Sequence, residues 1–320
     1  MPRVAVWGLG PHAFKNVIPA ISASPGFELI GVCSRNRASR DAAVGTSDIR
    51  SWAEPAEMLR SDLVDIVYLA TPTGLHFSHG MQVLEARKHL VCEKSLTGNT
   101  EHSFRLVEYS AKADLLLCEA FAFQYHPRFL AAQEVLTNDG FGRILHASCC
   151  FGLPPLDHPG FRMTAALGGG ALLDVGGYPL AAMRVLLGDA GSVVHARIYR
   201  SNQTEVDVRG SASLEFAGNI PADVAWWYNG AYAADLIVYG ERESLCVNRL
   251  FSKETVADSK LVVRSINGSA RTMTVPAANA FVKMFEVVNA ALTDRALRDR
   301  LRGEVRAQAS LMNEVTQCAR

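Results

Sequence analysis

The chain has 320 residues, 49% of them hydrophobic, enough for two domains with real cores and against a disordered or fibrous chain. Lysine plus arginine equal aspartate plus glutamate at 32 each, so no charge excess points to nucleic acid or an anionic membrane, and the expected partner is a small molecule. The seven cysteines (33, 92, 118, 149, 150, 246 and 318) form no CxxC pair and no metal-finger spacing; they read as free thiols of a reducing cytosol, and no metal is expected. The opening MPRVAVWGLG lacks the apolar stretch of a signal peptide, and no uncharged apolar run reaches the roughly 20 residues that span a bilayer. A cytoplasmic protein without a membrane partner is expected.

In chain order, VAVWG (4–8), LIGVC (29–33), DIVYLA (65–70), HLVC (89–92) and LLLCEA (115–120) read as strands, with amphipathic helical segments at 12–23, 37–44, 54–60, 75–87 and 100–113. Continuous apolar strands alternating with helices predict a doubly wound domain over 1–122, its parallel sheet covered on both faces. Gly8, Gly10, Pro11, His12 and Ala13 follow the first strand at the mouth of a helix, the setting a dinucleotide fingerprint requires. Gly8 permits the tight turn, Gly10 lets backbone approach a pyrophosphate, and Ala13 allows close helix–strand packing; the alternative is a glycine turn kept for packing alone.

The second strand ends in Ser34-Arg35-Asn36-Arg37, without the carboxylate that binds a ribose 2′-hydroxyl in NAD sites. A 2′-phosphate suits Ser34, Arg35 and Arg37, so NADP(H) is expected over NAD(H); the alternative is that the arginines form a solvated helix entrance. ATPTGLH adds Thr71, Pro72 and His76 to the sheet edge where ligands of open α/β folds bind, with His76 open between cofactor contact and core packing. HLVCEKS puts Glu93 and Lys94 at the same edge, Lys94 being either catalytic or a solvated surface lysine. CEAFAFQYHPRF (118–129) spans the domain junction and offers Glu119, Tyr125, His126 and Arg128 as substrate contacts.

Beyond residue 122 the segments 143–151, 192–200, 208–217, 222–228, 235–239, 244–248 and 260–264 predict an open, largely antiparallel sheet in a second α/β domain over 123–320. Helices are expected at 128–137, 171–187, 277–292 and 301–318. GGGALLDVGGYPLAAMRVLLG (168–188) lies too far downstream to be the dinucleotide loop; its glycines are expected to let the chain pass close to the nicotinamide end of the cofactor. Asp174 and Tyr178, four residues apart, share a helical face, and Pro179 is placed to kink it. Arg162, in PPLDHPGFRM, is either an anion ligand, as for a diphosphate, or a solvated loop residue. Trp226-Trp227 lies in an alternating strand and is expected to pack, against another subunit in one reading.

The start fingerprint, ATPTGLH, ARKHLVCEKS and GGGALLDVGGYPLAAMRVLLG together resemble the glucose–fructose oxidoreductase, inositol dehydrogenase and rhizopine-catabolism (Gfo/Idh/MocA) family, over nearly the whole chain. The resemblance implies an N-terminal Rossmann domain, a C-terminal α/β domain with an open, mostly antiparallel sheet, and a homodimer or homotetramer formed through that sheet. It implies hydride transfer between a nicotinamide and a carbohydrate carbinol or ketone. The family's Glu-Lys-Pro lysine maps to Lys94, its helix aspartate to Asp174, and its usual histidine to Tyr178. Ser95 stands for the motif's proline, which is expected to loosen the backbone after Lys94. Tyr178 resembles the tyrosine branch, and segments 151–163 and 230–252 are most similar to its nucleotide-sugar 3-ketoreductases. On that reading Tyr178 exchanges the proton, its phenolate favoured by the Lys94 ammonium, and Asp174 orients a sugar hydroxyl or holds Lys94. The alternatives are a free-sugar or dihydrodiol dehydrogenase of the same branch, and a non-catalytic NADP-binding sensor or regulator.

Overall fold

In a computed structural model that describes residues 1–45, 48–201, 204–252 and 258–319, the chain divides into two compact units, 1–120 with 281–306 and 121–280 with 307–320. The first holds β1 (Arg3–Trp7), β2 (Glu28–Cys33), β3 (Arg50–Trp52), β4 (Ile66–Leu69), β5 (His89–Cys92) and β6 (Leu117–Glu119), all parallel in the order β3-β2-β1-β4-β5-β6. The order reverses beside β1, which puts a crevice at the carboxyl ends of β1 and β4. β1, β4 and β5 are apolar because both of their faces are covered: Val4, Ala5, Val6, Ile66, Val67, Leu90 and Val91 are fully buried. Helices α1 (Ile18–Ala23), α2 (Arg37–Val44), α3 (Pro55–Arg60), α4 (His76–Glu85) and α5 (Thr100–Lys112) link the strands. β3 carries no strand signal in the sequence; it is a three-residue edge whose Trp52 ring covers Gly31, where a Cβ would come within 2.3 Å.

The second unit holds α6 (Pro127–Thr137), β7 (Ile144–Gly152), α7 (Gly177–Leu187), β8 (Ser192–Arg200), β9 (Asp207–Phe216), β10 (Ile220–Trp227), β11 (Ala233–Gly240), β12 (Glu243–Val247), β13 (Ser259–Ser265) and β14 (Ala270–Val275). Its eight strands run β14-β13-β12-β11-β7-β10-β9-β8, antiparallel throughout except for the parallel pair β7/β10. Alternation sends Cys149, Phe151, Leu214, Val224, Trp226, Leu236 and Val238 into one core beneath α7 and leaves the other face outward. Residues Ala165–Leu187 are apolar and long enough to cross a membrane by composition, but 78% of that window is buried in the protein. α7 is a core helix. Of the tryptophan pair, Trp226 lies under Gly176 and Gly210, whereas the Trp227 ring lies across Gly152 and Gly230 of its own unit rather than waiting for a partner.

The terminal helices α8 (Ala280–Thr293) and α9 (Arg295–Cys318) depart from a single cut after residue 122, since 281–306 belong with the first sheet. Specific contacts hold them there: the Phe285 ring lies 5.3 Å from Phe27 and 5.9 Å from Tyr68, Arg298 pairs with Asp114 at 2.9 Å, and Arg302 donates to the Leu115 carbonyl at 3.0 Å.

Candidate active site

Around the first glycine cluster, each residue has its own reason. Gly8 has φ +109°, and a Cβ there would lie 2.6 Å from the carbonyl carbon and oxygen of Ala70, so only glycine lets the end of β1 turn beside the end of β4. At Gly10 a Cβ would meet no protein atom within 4 Å. Nothing inside the protein requires that glycine, and the backbone it leaves bare is what a pyrophosphate needs in order to reach the amides of a helix mouth. Pro11 is exposed there, Ala13 is buried, and the helix opens as a π turn, Ala13–Val17. His12 is held on both ring nitrogens: the Asn16 amide lies 2.9 Å from Nδ1, and Nε2 lies 2.7 Å from Glu93 Oε1. With Asn16 donating, the ring carries its proton on Nε2 and gives it to Glu93. Tyr68 donates to the same Glu93 oxygen at 2.6 Å, and complete burial, reinforced by the Glu93 charge, pushes its phenol well above the usual value, so it remains a donor.

At the end of β2 the Ser34 hydroxyl accepts from the Asn36 amide at 3.2 Å, which turns its own proton away from that N–H. Arg35 is exposed beside it. Arg37 pairs at 3.5 Å with Asp41 of its own helix, both side chains in solvent, the position of a solvated entrance residue. Arg40, which the sequence pattern does not single out, donates to the Ser34 carbonyl at 2.5 Å and brings a further guanidinium to the corner. Thr71 faces His79 Nδ1 at 3.2 Å, Pro72 precedes the short 3-10 turn Thr73–Leu75, and His79 stacks on Trp7 at 4.2 Å. Burial, with the charges of His76 and Arg35, pulls His79 down to about 4.

His76 is a clasp rather than a ligand surface: it is 1% exposed, with Nε2 2.7 Å from the Thr71 carbonyl and Nδ1 3.0 and 3.2 Å from those of Ser95 and Leu96. Burial lowers its pKa. Glu119 accepts from the Leu96 amide at 2.7 Å. The segment after Lys94 is therefore tied down on two sides and not loosened by the loss of proline; its Lys94–Ser95 bond is cis. Lys94 itself is half-buried at the end of β5.

In the second unit the glycines answer to the protein itself. Gly168 is left-handed at φ +72°, a Cβ on Gly169 would lie 2.5 Å from the Arg162 carbonyl oxygen, and one on Gly170, at φ +121°, would lie 2.2 Å from Asp207 Oδ1. Asp207 accepts from the Leu172 amide at 2.6 Å, serving from β9 as the cap of a helix that has no local one. Burial raises its carboxyl pKa, and that hydrogen bond opposes the rise. The helix opens as a second π turn, Leu172–Gly176, and Pro179 falls in the first turn of α7, where a missing N–H is tolerated. Asp174 lies within the π turn. Arg162 Nε and the Tyr228 hydroxyl donate to its Oδ2 at 2.6 and 3.1 Å. Tyr178, 7% exposed, stands among the rings of Phe121, Phe123, Phe151 and Phe251, with centroids 5.1 to 5.7 Å away.

Of the junction residues, Tyr125 is half-buried at the end of the 3-10 turn Ala122–Tyr125. His126 is 3% exposed and caps α6 by accepting from the Arg128 amide at 3.0 Å, while burial and the Arg128 charge lower its pKa to about 4. Arg128 is a buried clamp on Ser259 and the Arg249 carbonyl. Among the described residues no group of three or more His, Cys, Asp or Glu side chains is arranged to hold a metal.

The family model described as "Oxidoreductase family, NAD-binding Rossmann fold" matches residues 2–121, and that of the GFO/IDH/MocA C-terminal domain matches 129–246. The chain belongs to the Gfo/Idh/MocA family of oxidoreductases. Among the members it resembles, a dTDP-3,4-didehydro-2,6-dideoxy-alpha-D-glucose 3-reductase from Saccharopolyspora spinosa is 30% identical over 78% of this chain and 75% of its own length. The reductase of that name from Actinomadura kijaniata is 30% identical over 99% and 96%. The crystal structure of KijD10, a 3-ketoreductase from Actinomadura kijaniata in complex with NADP and TDP-benzene, matches with a TM-score of 0.94 at 27% identity, covering 100% of this chain and 98% of that one. Structures of KijD10 variants with a tyrosine changed to phenylalanine and with a lysine changed to alanine match at 0.94 and 0.91.

Proposed function

We propose that this Gfo/Idh/MocA oxidoreductase is an NADP(H)-dependent 3-ketoreductase of a dTDP-linked deoxysugar. The observation that carries the reading is a tyrosine, Tyr178, on the buried helix next to Asp174, in a chain alike from end to end to the Actinomadura kijaniata 3-reductase. The bare backbone at Gly10 fits a dinucleotide, with Gly8, Pro11, His12 and Ala13 shaping the helix mouth and Glu93 holding His12. Ser34, Arg35 and Arg40 suit a 2′-phosphate. Thr71 and Pro72 complete the edge of the first sheet. When bound, NADPH supplies the hydride.

Tyr178 then gives the proton to the reduced oxygen, and Lys94 supplies the ammonium that favours the phenolate left behind. The test is NADPH oxidation with dTDP-3,4-didehydro-2,6-dideoxyglucose, compared with NADP reduction by D-xylose. The xylose arm is warranted by a 30% identity over 68% of the chain to a D-xylose 1-dehydrogenase (NADP(+)) of Haloferax volcanii. Turnover of xylose alone would replace this reading with the free-sugar dehydrogenase, and turnover of neither would favour a sensor. If Lys94 and Tyr178 act as a unit, Lys94→Ala and Tyr178→Phe each lose roughly a hundredfold in turnover and the double variant loses little more.

We also propose self-association through the outward face of the second sheet, where Tyr199 and Tyr239 are exposed, to be checked by light scattering. The seven free thiols suit work in a reducing cytoplasm.

A further inference from the structure

We propose that Arg162 is a specificity-determining residue that hydrogen-bonds the second carbonyl of a vicinal dicarbonyl sugar, and that Asp174 serves to anchor Arg162 rather than to accept a sugar hydroxyl; this rests on the 3-ketoreductase reading above. A 3,4-didehydro-2,6-dideoxy hexose linked through its first carbon carries carbonyls at carbons 3 and 4 and no ring hydroxyl. Such a ring offers acceptors only. An ionised aspartate is also acceptor-only and cannot recognise it, whereas a guanidinium has five N–H donors and no acceptor.

The geometry makes that guanidinium rigid. Arg162 Nε sits 2.6 Å from Asp174 Oδ2, and the Tyr228 hydroxyl donates to the same oxygen from 3.1 Å. The Tyr228 hydroxyl is also 3.1 Å from the Gly170 carbonyl, the acceptor of the Asp174 backbone amide at 3.1 Å, so carboxylate and backbone are both referred to Gly170. Gly170 is in turn wedged against Asp207, which holds the Leu172 amide. Burial, followed by the Asp174 charge, keeps the Tyr228 phenol far above its ordinary pKa, so this donor is permanent. The Arg162 side chain is 32% exposed, against 9% for Asp174, so the anchor is covered and the cation faces outward. Asp174 lies one helical turn before Tyr178, which puts Arg162 on the side of the proton donor, and the Tyr178 phenol is among the groups that act electrostatically on Arg162. Fixed donors aimed at an oxygen acceptor discriminate strongly, because the wrong substrate leaves them unpaired.

The experiment compares Arg162→Gln, Arg162→Lys and wild type on two probes, dTDP-3,4-didehydro-2,6-dideoxyglucose and the matching dTDP-linked 3-keto sugar with a hydroxyl at carbon 4, together with NADPH affinity by fluorescence titration. Loss of one charge-assisted hydrogen bond corresponds to roughly ten- to a hundredfold. Arg162→Gln should lose that much in kcat/KM on the dicarbonyl sugar and clearly less on the 4-hydroxy sugar, with unchanged NADPH affinity. Arg162→Lys should recover part of the loss, and Tyr228→Phe, which keeps the ring and removes only the anchor's donor, should shift selectivity in the same direction by less. Equal losses on both probes, or none, in an enzyme that reduces the dicarbonyl sugar would overturn the inference and leave the functional reading standing. A wild type that does not reduce the dicarbonyl sugar would overturn both.

Discussion

The two glycine clusters look alike in the sequence and exist for opposite reasons. Gly10 meets no protein atom where its side chain would be, whereas Gly169 and Gly170 would drive a methyl group into the Arg162 carbonyl and the Asp207 carboxylate. A glycine that the protein does not need is evidence of something outside the protein. A glycine the protein needs, as at Gly170, marks a turn that must be held still. The same contrast runs through the polar groups: around Gly10 they lie at the mouth of a cradle, and around Gly170 they are interlocked around Asp174.

If that division is right, each region fails in its own way when damaged. The largest effect is expected from Tyr178→Phe, a loss of roughly a hundredfold or more in turnover with NADPH affinity unchanged, since the phenol exchanges a proton and the cradle lies elsewhere. Stopped-flow turnover and fluorescence titration check the two halves of that statement, and a Tyr178→Phe enzyme of near-normal rate would move proton transfer to another group. Next is Arg35→Ala, expected to weaken NADPH by about ten- to a hundredfold while leaving NADH and the saturated rate little changed. A wild type with equal affinity for the two cofactors would remove the basis for the 2′-phosphate corner.

The smallest effects sharpen the comparison most directly. Gly170→Ala, strained at positive φ and crowded by Asp207, should cost about 2–3 kcal/mol of stability in urea unfolding. Gly10→Ala should leave stability within about 0.5 kcal/mol, as at other sites free of such features, and reduce NADPH affinity instead. Similar stability losses for both would mean that the clusters do not differ in kind.

Both sheets were legible because their signal is local. Period-two alternation and continuous apolar runs report burial residue by residue, and a glycine fingerprint between a strand and a helix names its own context. β3 and β14 escaped because short, exposed edge strands carry little apolar pattern; β14 is exposed or partly exposed over all but its last residue. Candidate roles were harder to read than positions. His76 and His126 stood at sheet-edge and junction addresses that suit a ligand, yet their rings are buried as clasp and cap.

From the sequence alone came the parallel sheet with its nucleotide-type turn, the absence of an acidic residue after β2, and the spacing of Asp174 and Tyr178. Only the tertiary structure decided that Asp174 belongs to Arg162 and Tyr228, that Asp207 caps the catalytic helix from another strand, that Glu93 joins His12 to Tyr68, and that residues 281–306 complete the first unit. The reason is distance along the chain. Tyr228 and Asp174 are 54 residues apart, and His12 and Glu93 are 81 apart, so neither pair leaves a periodic trace. Such contacts exist only once sheet order and register have brought distant strand ends to the same edge.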